Sequence, residues 1–262
     1  MEPDVIINEI HFDPASGTAG DANGDGTRDF SQDEFIEIVN TTTGDIDISG
    51  WTLSDDDGDD FVFPAGTILG SGQAAVLFGG GTPAGNVGNG QPNANFGGAL
   101  GFVDDGSIGT GLSNSGEVIE LRDDAAALGD SIGYGNAGAV TGGSDQSITR
   151  DPDVTGGFTN HSSATDADSA LFSPGTQVDG TAFEAPVTVL LEESFETDGN
   201  GTRYTTSITE DSDDSGDFFT RSDGSNIGSF VNYLDPDGDF FFAAMDTDGT
   251  PLSATSATLN FS

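Results

Sequence analysis

The sequence predicts an all-β protein, one β-sandwich followed by a second and shorter β unit, and three observations predict it. Short runs of β-branched and aromatic residues alternate along the chain with clusters of Gly, Asn, Asp, Ser and Thr. Nowhere does an apolar helical period persist long enough to make a helix. With 34% hydrophobic residues, 19 Phe and 40 Gly in 262 residues, the chain has material for packed cores joined by many tight turns. Evenly spaced strands with polar turns between them point to a sandwich.

Taken in order, Val5 to Phe12 and Glu34 to Asn40 place Ile, Val and Phe at strand spacing. Further strands are predicted over Asp45 to Ser54, Asp60 to Phe63, Ala74 to Phe78, Glu117 to Arg122, Leu128 to Tyr134 and Gln146 to Arg150. The stretch from Gly79 to Gly98 is so rich in Gly, Asn and Pro that it is expected to be a long surface loop without a core element. Residues 1–182 form the first expected domain and 183–186, ending at Pro186, a linker. The second domain, 187–262, is predicted to carry strands near Phe195, over Tyr204 to Ile208, Phe230 to Leu234, Phe240 to Met245 and Ala257 to Ser262. That length is short for a sandwich, so it reads as incomplete and as part of a larger protein.

Against 46 acidic residues stand five Arg and no Lys, a formal net charge of -41. Screening over about 8 Å at physiological ionic strength leaves neighbouring carboxylates in one another's field, so bound cations or a dense counterion atmosphere are expected. Saline or calcium-rich surroundings fit, and with them a secreted or cell-surface location in a bacterium or archaeon. Direct nucleic-acid binding is disfavoured, because it needs clustered Lys and Arg, and the arginines scatter from Arg28 to Arg221. The absence of Cys removes disulfides, zinc-thiolate sites and thiol nucleophiles. The absence of Lys removes the phosphate-cradling Walker loop and Schiff-base chemistry. No run approaches the roughly 20 apolar residues of a membrane span, and the start at Met1 reads as a mature boundary rather than a signal peptide.

The loop Asp21-Ala22-Asn23-Gly24-Asp25-Gly26-Thr27-Arg28-Asp29 repeats side-chain oxygens at every second position and has Gly where the backbone turns sharply. That is how a loop wraps Ca²⁺, with Asp21, Asn23, Asp25, the Thr27 carbonyl and Asp29 as candidate ligands. Gln32 stands where a helix-flanked loop has its closing acid, so Asp33 is the candidate to complete a strand-flanked version. The alternative is a solvated acidic turn whose Gly and Asn meet conformational needs. Asp55 to Asp60 reads as a hairpin turn. Asp235, Asp237 and Asp239 alternate around Gly238 and are open to either a metal or a turn reading.

Ile7-Asn8-Glu9-Ile10, Asp33-Glu34-Phe35-Ile36-Glu37-Ile38-Val39-Asn40 and Ile48-Ser49-Gly50-Trp51-Thr52-Leu53-Ser54-Asp55 together resemble the bacterial lamin-tail domain family. The resemblance continues more weakly through Ser115 to Leu121 and Gln146 to Arg150. It implies an immunoglobulin-like β-sandwich and a non-catalytic module of the kind attached to extracellular nucleases, phosphoesterases or other surface proteins. Residues 187–262 resemble the front half of a jelly-roll module, which implies a structural calcium site near its first strand, here Glu193, Glu196 and Asp246.

Catalytic constellations are weak. Gly129-Asp130-Ser131-Ile132-Gly133 has the spacing of a nucleophile elbow, but Tyr134-Gly135-Asn136-Ala137-Gly138 follows where a helix should start. His11 and His161 sit in a strand and a polar loop and read as structural. Glu9 and Glu37 are paired acids, yet in so acidic a chain two carboxylates are no sign of a raised pKa. Trp51 reads as a core anchor. No catalytic residue or organic cofactor is therefore assigned, and Ca²⁺ is the expected cofactor. The leading expectation is a calcium-stabilised accessory or adhesion region that meets a protein or glycan at a cell surface, or a downstream domain of its own chain. The rivals are the front of an extracellular hydrolase and a carbohydrate-binding module.

Overall fold

The structure, a computed structural model, describes residues 3–55, 61–85, 89–138 and 140–186, and beyond them the backbone of four strands. The chain divides into two units, residues 1–188 and 189–262. In the first, β1 (Val5–His11), β2 (Phe35–Asn40), β7 (Ala74–Phe78), β8 (Gln91–Asn93), β9 (Ala99–Val103), β12 (Ile148–Asp151) and β13 (Gly157–Asn160) form a seven-stranded sheet in the order β13-β12-β1-β2-β7-β9-β8. A second sheet joins β4 (Thr52–Ser54), β5 (Phe61–Val62), β10 (Val118–Arg122) and β11 (Leu128–Gly133) in the order β11-β10-β4-β5, and β3 (Ile46–Asp47) pairs with β6 (Ile68–Leu69). The result is an all-β immunoglobulin-like sandwich.

The inner faces carry the main core. Val5, Ile7 and Ile10 of β1, Ile36 and Ile38 of β2, Leu77 of β7 and Phe102 of β9 meet Leu53, Ile119 and Leu121 of the second sheet. Each is almost fully buried, contributing roughly 1.5–3 kcal/mol. The large sheet is buried on its other face as well. Ile6, Phe35, Val39, Val76, Phe78 and Phe96 form a second cluster there, against which Val154, Phe172 and Phe183 pack. Phe183, in the stretch read as a linker, therefore lies against the first unit.

Three expectations change on contact with the structure. The strand expected over Asp45 to Ser54 is two short strands, because Gly50 turns the chain at φ +76° and the Trp51 N–H closes the turn on the Ile48 carbonyl. Trp51 is half-buried and packs against the main core. The Gly79 to Gly98 stretch is not merely a surface loop. β7 and β9 run parallel, which requires a long crossover, and the crossover carries β8, a 3₁₀ turn over Ala94–Phe96 and the buried Phe96. Finally, β12 continues into a hairpin with β13 that the sequence analysis did not contain.

In the second unit, β14 (Tyr204–Thr209) pairs antiparallel with β17 (Ser256–Phe261), and β15 (Phe218–Ser222) with β16 (Phe241–Met245). The strands expected near Phe195 and over Phe230 to Leu234 lie outside the described residues.

Candidate functional site

The loop between β1 and β2 is held by its own polar side chains. Asn23 is fully buried; its backbone N–H donates to Asp33 Oδ1 at 3.1 Å, and its Nδ2 donates to the Gly80 carbonyl at 3.2 Å. Its Oδ1 accepts from the Asp25 N–H, while the Asp25 carboxylate accepts from the N–H groups of Thr27 and Thr82. The crossover after β7 is thereby tied to the loop. Asp21 Oδ2 accepts from the Gly26 N–H at 3.0 Å, which closes the turn, and Asp21 Oδ1 is buried without a partner among the described residues. Asp33 Oδ2 accepts from the Asp29 N–H at 2.7 Å. Burial raises the Asp33 pKa, and the nearby charges of Asp21 and Asp25 push the same way against its two backbone hydrogen bonds.

Of the candidate ligands, Asp21, Asn23, Asp25 and Asp33 thus share one end of the loop. Asp29 Oδ1 instead caps the following turn, accepting from the Ser31 and Gln32 N–H groups and the Ser31 hydroxyl, bonds that hold its pKa below the ordinary value. Among the described residues, no three Asp, Glu or His side chains gather as a metal-holding group. A cation here would draw on Asp21 Oδ1, the Asn23 amide oxygen, Asp25 and backbone carbonyls such as that of Thr27, a mixed oxygen set suited to Ca²⁺. Glu193, Glu196, Asp235, Asp237, Asp239 and Asp246 lie outside the described residues, as does Asp56 to Asp60.

A second polar cluster lies beneath the segment that follows β13, on the outer face of the large sheet. A register shift between Ile7 and Glu9 inserts Asn8 into β1, and Glu9 then faces Glu37 across the β1–β2 ladder. Glu9 accepts from the Ser147 hydroxyl, the Ser173 N–H at 3.0 Å and the Ser173 hydroxyl at 2.9 Å. Glu37 accepts from Asn8 Nδ2 at 2.9 Å and the Gly175 N–H at 2.7 Å. Asn8 also reaches Asp153 and takes the Val154 N–H, and Asp153 takes the Val178 N–H. Burial raises the pKa of Glu9, Glu37 and Asp153, and the neighbouring carboxylates add to the shift of Glu37.

His161 completes the cluster. Its Nδ1 lies 3.0 Å from the Ala170 carbonyl, which can only accept, so Nδ1 carries a proton; Nε2 lies 2.9 Å from Ser173 Oγ. One hydroxyl proton then sits between His161 and Glu9, and the upward shift of Glu9 places the further proton on its carboxyl. The arrangement has the residue types of an acid–serine–imidazole relay, but Glu9 and His161 are wholly buried and Ser173 nearly so. It ties β1, β2, β12 and the covering segment together. Paired acids with raised pKa values are thus present after all at Glu9 and Glu37. Their signal is the covering segment, which has no periodicity to announce it.

Glu34 at the start of β2 is 3% exposed; its Oε2 accepts from the Leu112 N–H at 3.0 Å. Burial pushes its pKa up to about 8, helped by Glu117, Asp13 and Asp29. Glu117 in turn accepts from the Tyr134 hydroxyl at 2.8 Å and the Ser113 N–H at 3.0 Å. Burial and that acidic partner raise the Tyr134 pKa. Ser131, in the motif resembling a nucleophile elbow, is an exposed residue of β11, paired with Glu120 in an ordinary antiparallel ladder. His11 is fully buried beside Phe35 and Phe172. No helix among the described residues is long and apolar enough to cross a membrane.

A family model described as Lamin Tail Domain matches residues 1–136. A comparison with curated proteins finds no match.

Proposed function

We propose, on the premise that the chain belongs to the lamin tail domain family, that it is a non-catalytic, calcium-stabilised accessory or adhesion module of a secreted or cell-surface protein. One observation carries the non-catalytic reading. The groups that acyl transfer or glycoside chemistry would recruit, Ser147, Ser173, His161, Glu9 and Glu37, lie beneath the covering segment with their polar atoms engaged by one another and by backbone. A substrate would have to remove that segment to reach them. The module's work is then to hold a rigid surface toward a protein or glycan.

Calcium enters through the loop at Asp21. The buried Asp21 Oδ1 has no partner, and an unpaired buried oxygen costs about 1–3 kcal/mol that a bound cation would offset. Ca²⁺ there would relieve the mutual repulsion of Asp21, Asp25 and Asp33 and fasten the crossover after β7 through Asp25 and Thr82. The experiment is thermal unfolding with EDTA and then with excess Ca²⁺. Calcium should raise the midpoint, and Asp21→Ala should remove that response. Equal midpoints with and without the metal would dismiss the calcium part. Steady turnover of ester, phosphodiester or glycoside substrates by the purified chain would dismiss the non-catalytic part.

A further inference from the structure

Between the turn after β1, the loop before β2 and the connection from β9 to β10 lies an open cavity of about 500 Å³. Asp13 and Glu34 stand on its wall with Ser31, Thr110 and Asn114, and Phe30 lies at it with 69% of its surface exposed. Asp13 is fixed by Asn114 Nδ2 at 2.8 Å and more loosely by the Ser144 hydroxyl and the Asp145 N–H. Glu34 is 3% exposed, and only one of its oxygens, Oε2, has a hydrogen-bond partner among the described residues. Its Oε1 is not among the solvent-sealed atoms, so it opens onto the cavity. None of the lining residues carries a positive charge. The nearest guanidinium, that of Arg28, is engaged by the Ala15 and Pro14 carbonyls.

We propose that this cavity is a recognition site for an organic cation, a guanidinium or ammonium group presented by a basic side chain of a partner protein or by a free amine. Three features favour that class. The acidic wall has no internal counter-charge, and its field is concentrated by low-dielectric surroundings. An exposed aromatic face beside it suits a flat or rounded cation. The open volume is too large for a bare metal ion, and no metal-holding group of acids is gathered among the described residues. Neutral sugars would gain hydrogen bonds here but nothing from the charge. The site stands apart from the proposed calcium loop, and its test is read with calcium held constant.

The test is a calorimetric or NMR titration of the full chain with acetyl-argininamide and with a glycine-flanked arginine peptide. The same peptide carrying citrulline, which keeps the shape and loses the charge, and N-acetylglucosamine are the uncharged controls. Both arginine ligands should saturate one site, the citrulline peptide should not, and Glu34→Gln and Phe30→Ala should each weaken binding about tenfold or more. Phe30→Ala removes an exposed ring and leaves the core intact, so it remains decisive if Glu34→Gln perturbs the fold. Asp124→Asn with Asp166→Asn, exposed acids elsewhere, should change nothing, which separates a site from general attraction to a polyanion. A peptide much tighter than argininamide identifies a protein partner, and equal affinity identifies a free amine. Absence of saturable arginine binding, equal binding of citrulline or sugar, or indifference to both cavity substitutions would overturn the proposal.

Discussion

His11 and Glu34 are the clearest cases in which a single residue sets how the fold responds to pH. His11 lies among Phe35 and Phe172 with neither ring nitrogen hydrogen-bonded among the described residues, and burial lowers its pKa to about 3. A depressed imidazole contributes stability that is complete above its ordinary value near 6.5 and is lost as pH falls toward 3, because the unfolded chain binds the proton first. His11→Leu should remove that acid sensitivity and raise stability at neutral pH by about 1 kcal/mol, since two unsatisfied nitrogens leave the core. Urea unfolding between pH 4 and pH 7 checks this, and a mutant as acid-sensitive as the parent would refute it. Glu34 works in the opposite direction. Its raised pKa means stability that is complete below about 4.5 and lost as pH climbs through about 8. Glu34→Gln keeps the acceptor for the Leu112 N–H, so it should flatten that decline by roughly 2–4 kcal/mol between pH 5 and pH 9, read from the same unfolding curves.

At the scale of elements, the legible strands were those whose neighbours in the sheet are also apolar: β1, β2, β7 and β10 announce themselves by Ile, Val and Leu at strand spacing. β8 and β9 did not, because a parallel partner is reached through a Gly-rich crossover and leaves no turn signature. Nor did the burial of Asn8, Glu9, His11 and Glu37, which look like the solvent side of an alternating strand. They are covered by residues 161–183, an irregular segment fixed by Ser173 to Glu9, Gly175 to Glu37 and Val178 to Asp153. The candidate metal loop was readable as a motif, but its orphan oxygen at Asp21 and its tie to Thr82 depend on contacts far along the chain. The family match ends at residue 136, yet β12 pairs with β1 and the covering segment follows it. A chain cut after Gly138 should therefore expose the buried acids and fail to fold cooperatively, while one ending at Pro186 should unfold in a single sharp transition. Circular dichroism melts of the two would decide, and a well-folded shorter chain would show the cover to be dispensable.

For the whole molecule the open question is how a formal charge of -41 is tolerated. Part of the answer lies inside: carboxyls with raised pKa values, such as Glu34, carry less charge at neutral pH than the formal count assigns them. The remainder divides into general screening and specific binding, and the two scale differently with added ions. Monovalent salt shortens the reach of every exposed carboxylate gradually, to about 8 Å at physiological strength, so its effect should grow smoothly and ignore any one residue. Calcium at a single site should instead saturate, adding about 2.7 kcal/mol at a hundredfold excess over its dissociation constant. That gain corresponds to roughly 5–10 °C in the midpoint of the transition belonging to residues 1–188. At matched ionic strength, Ca²⁺ should therefore exceed Na⁺ by a saturating increment. Asp21→Ala should abolish that increment and leave the smooth salt response untouched, because only the buried oxygen of Asp21 requires an ion at one fixed place. If calcium and sodium instead stabilise equally at equal ionic strength, diffuse counterions alone hold this sandwich together, and the loop is an acidic turn sustained by its own backbone bonds.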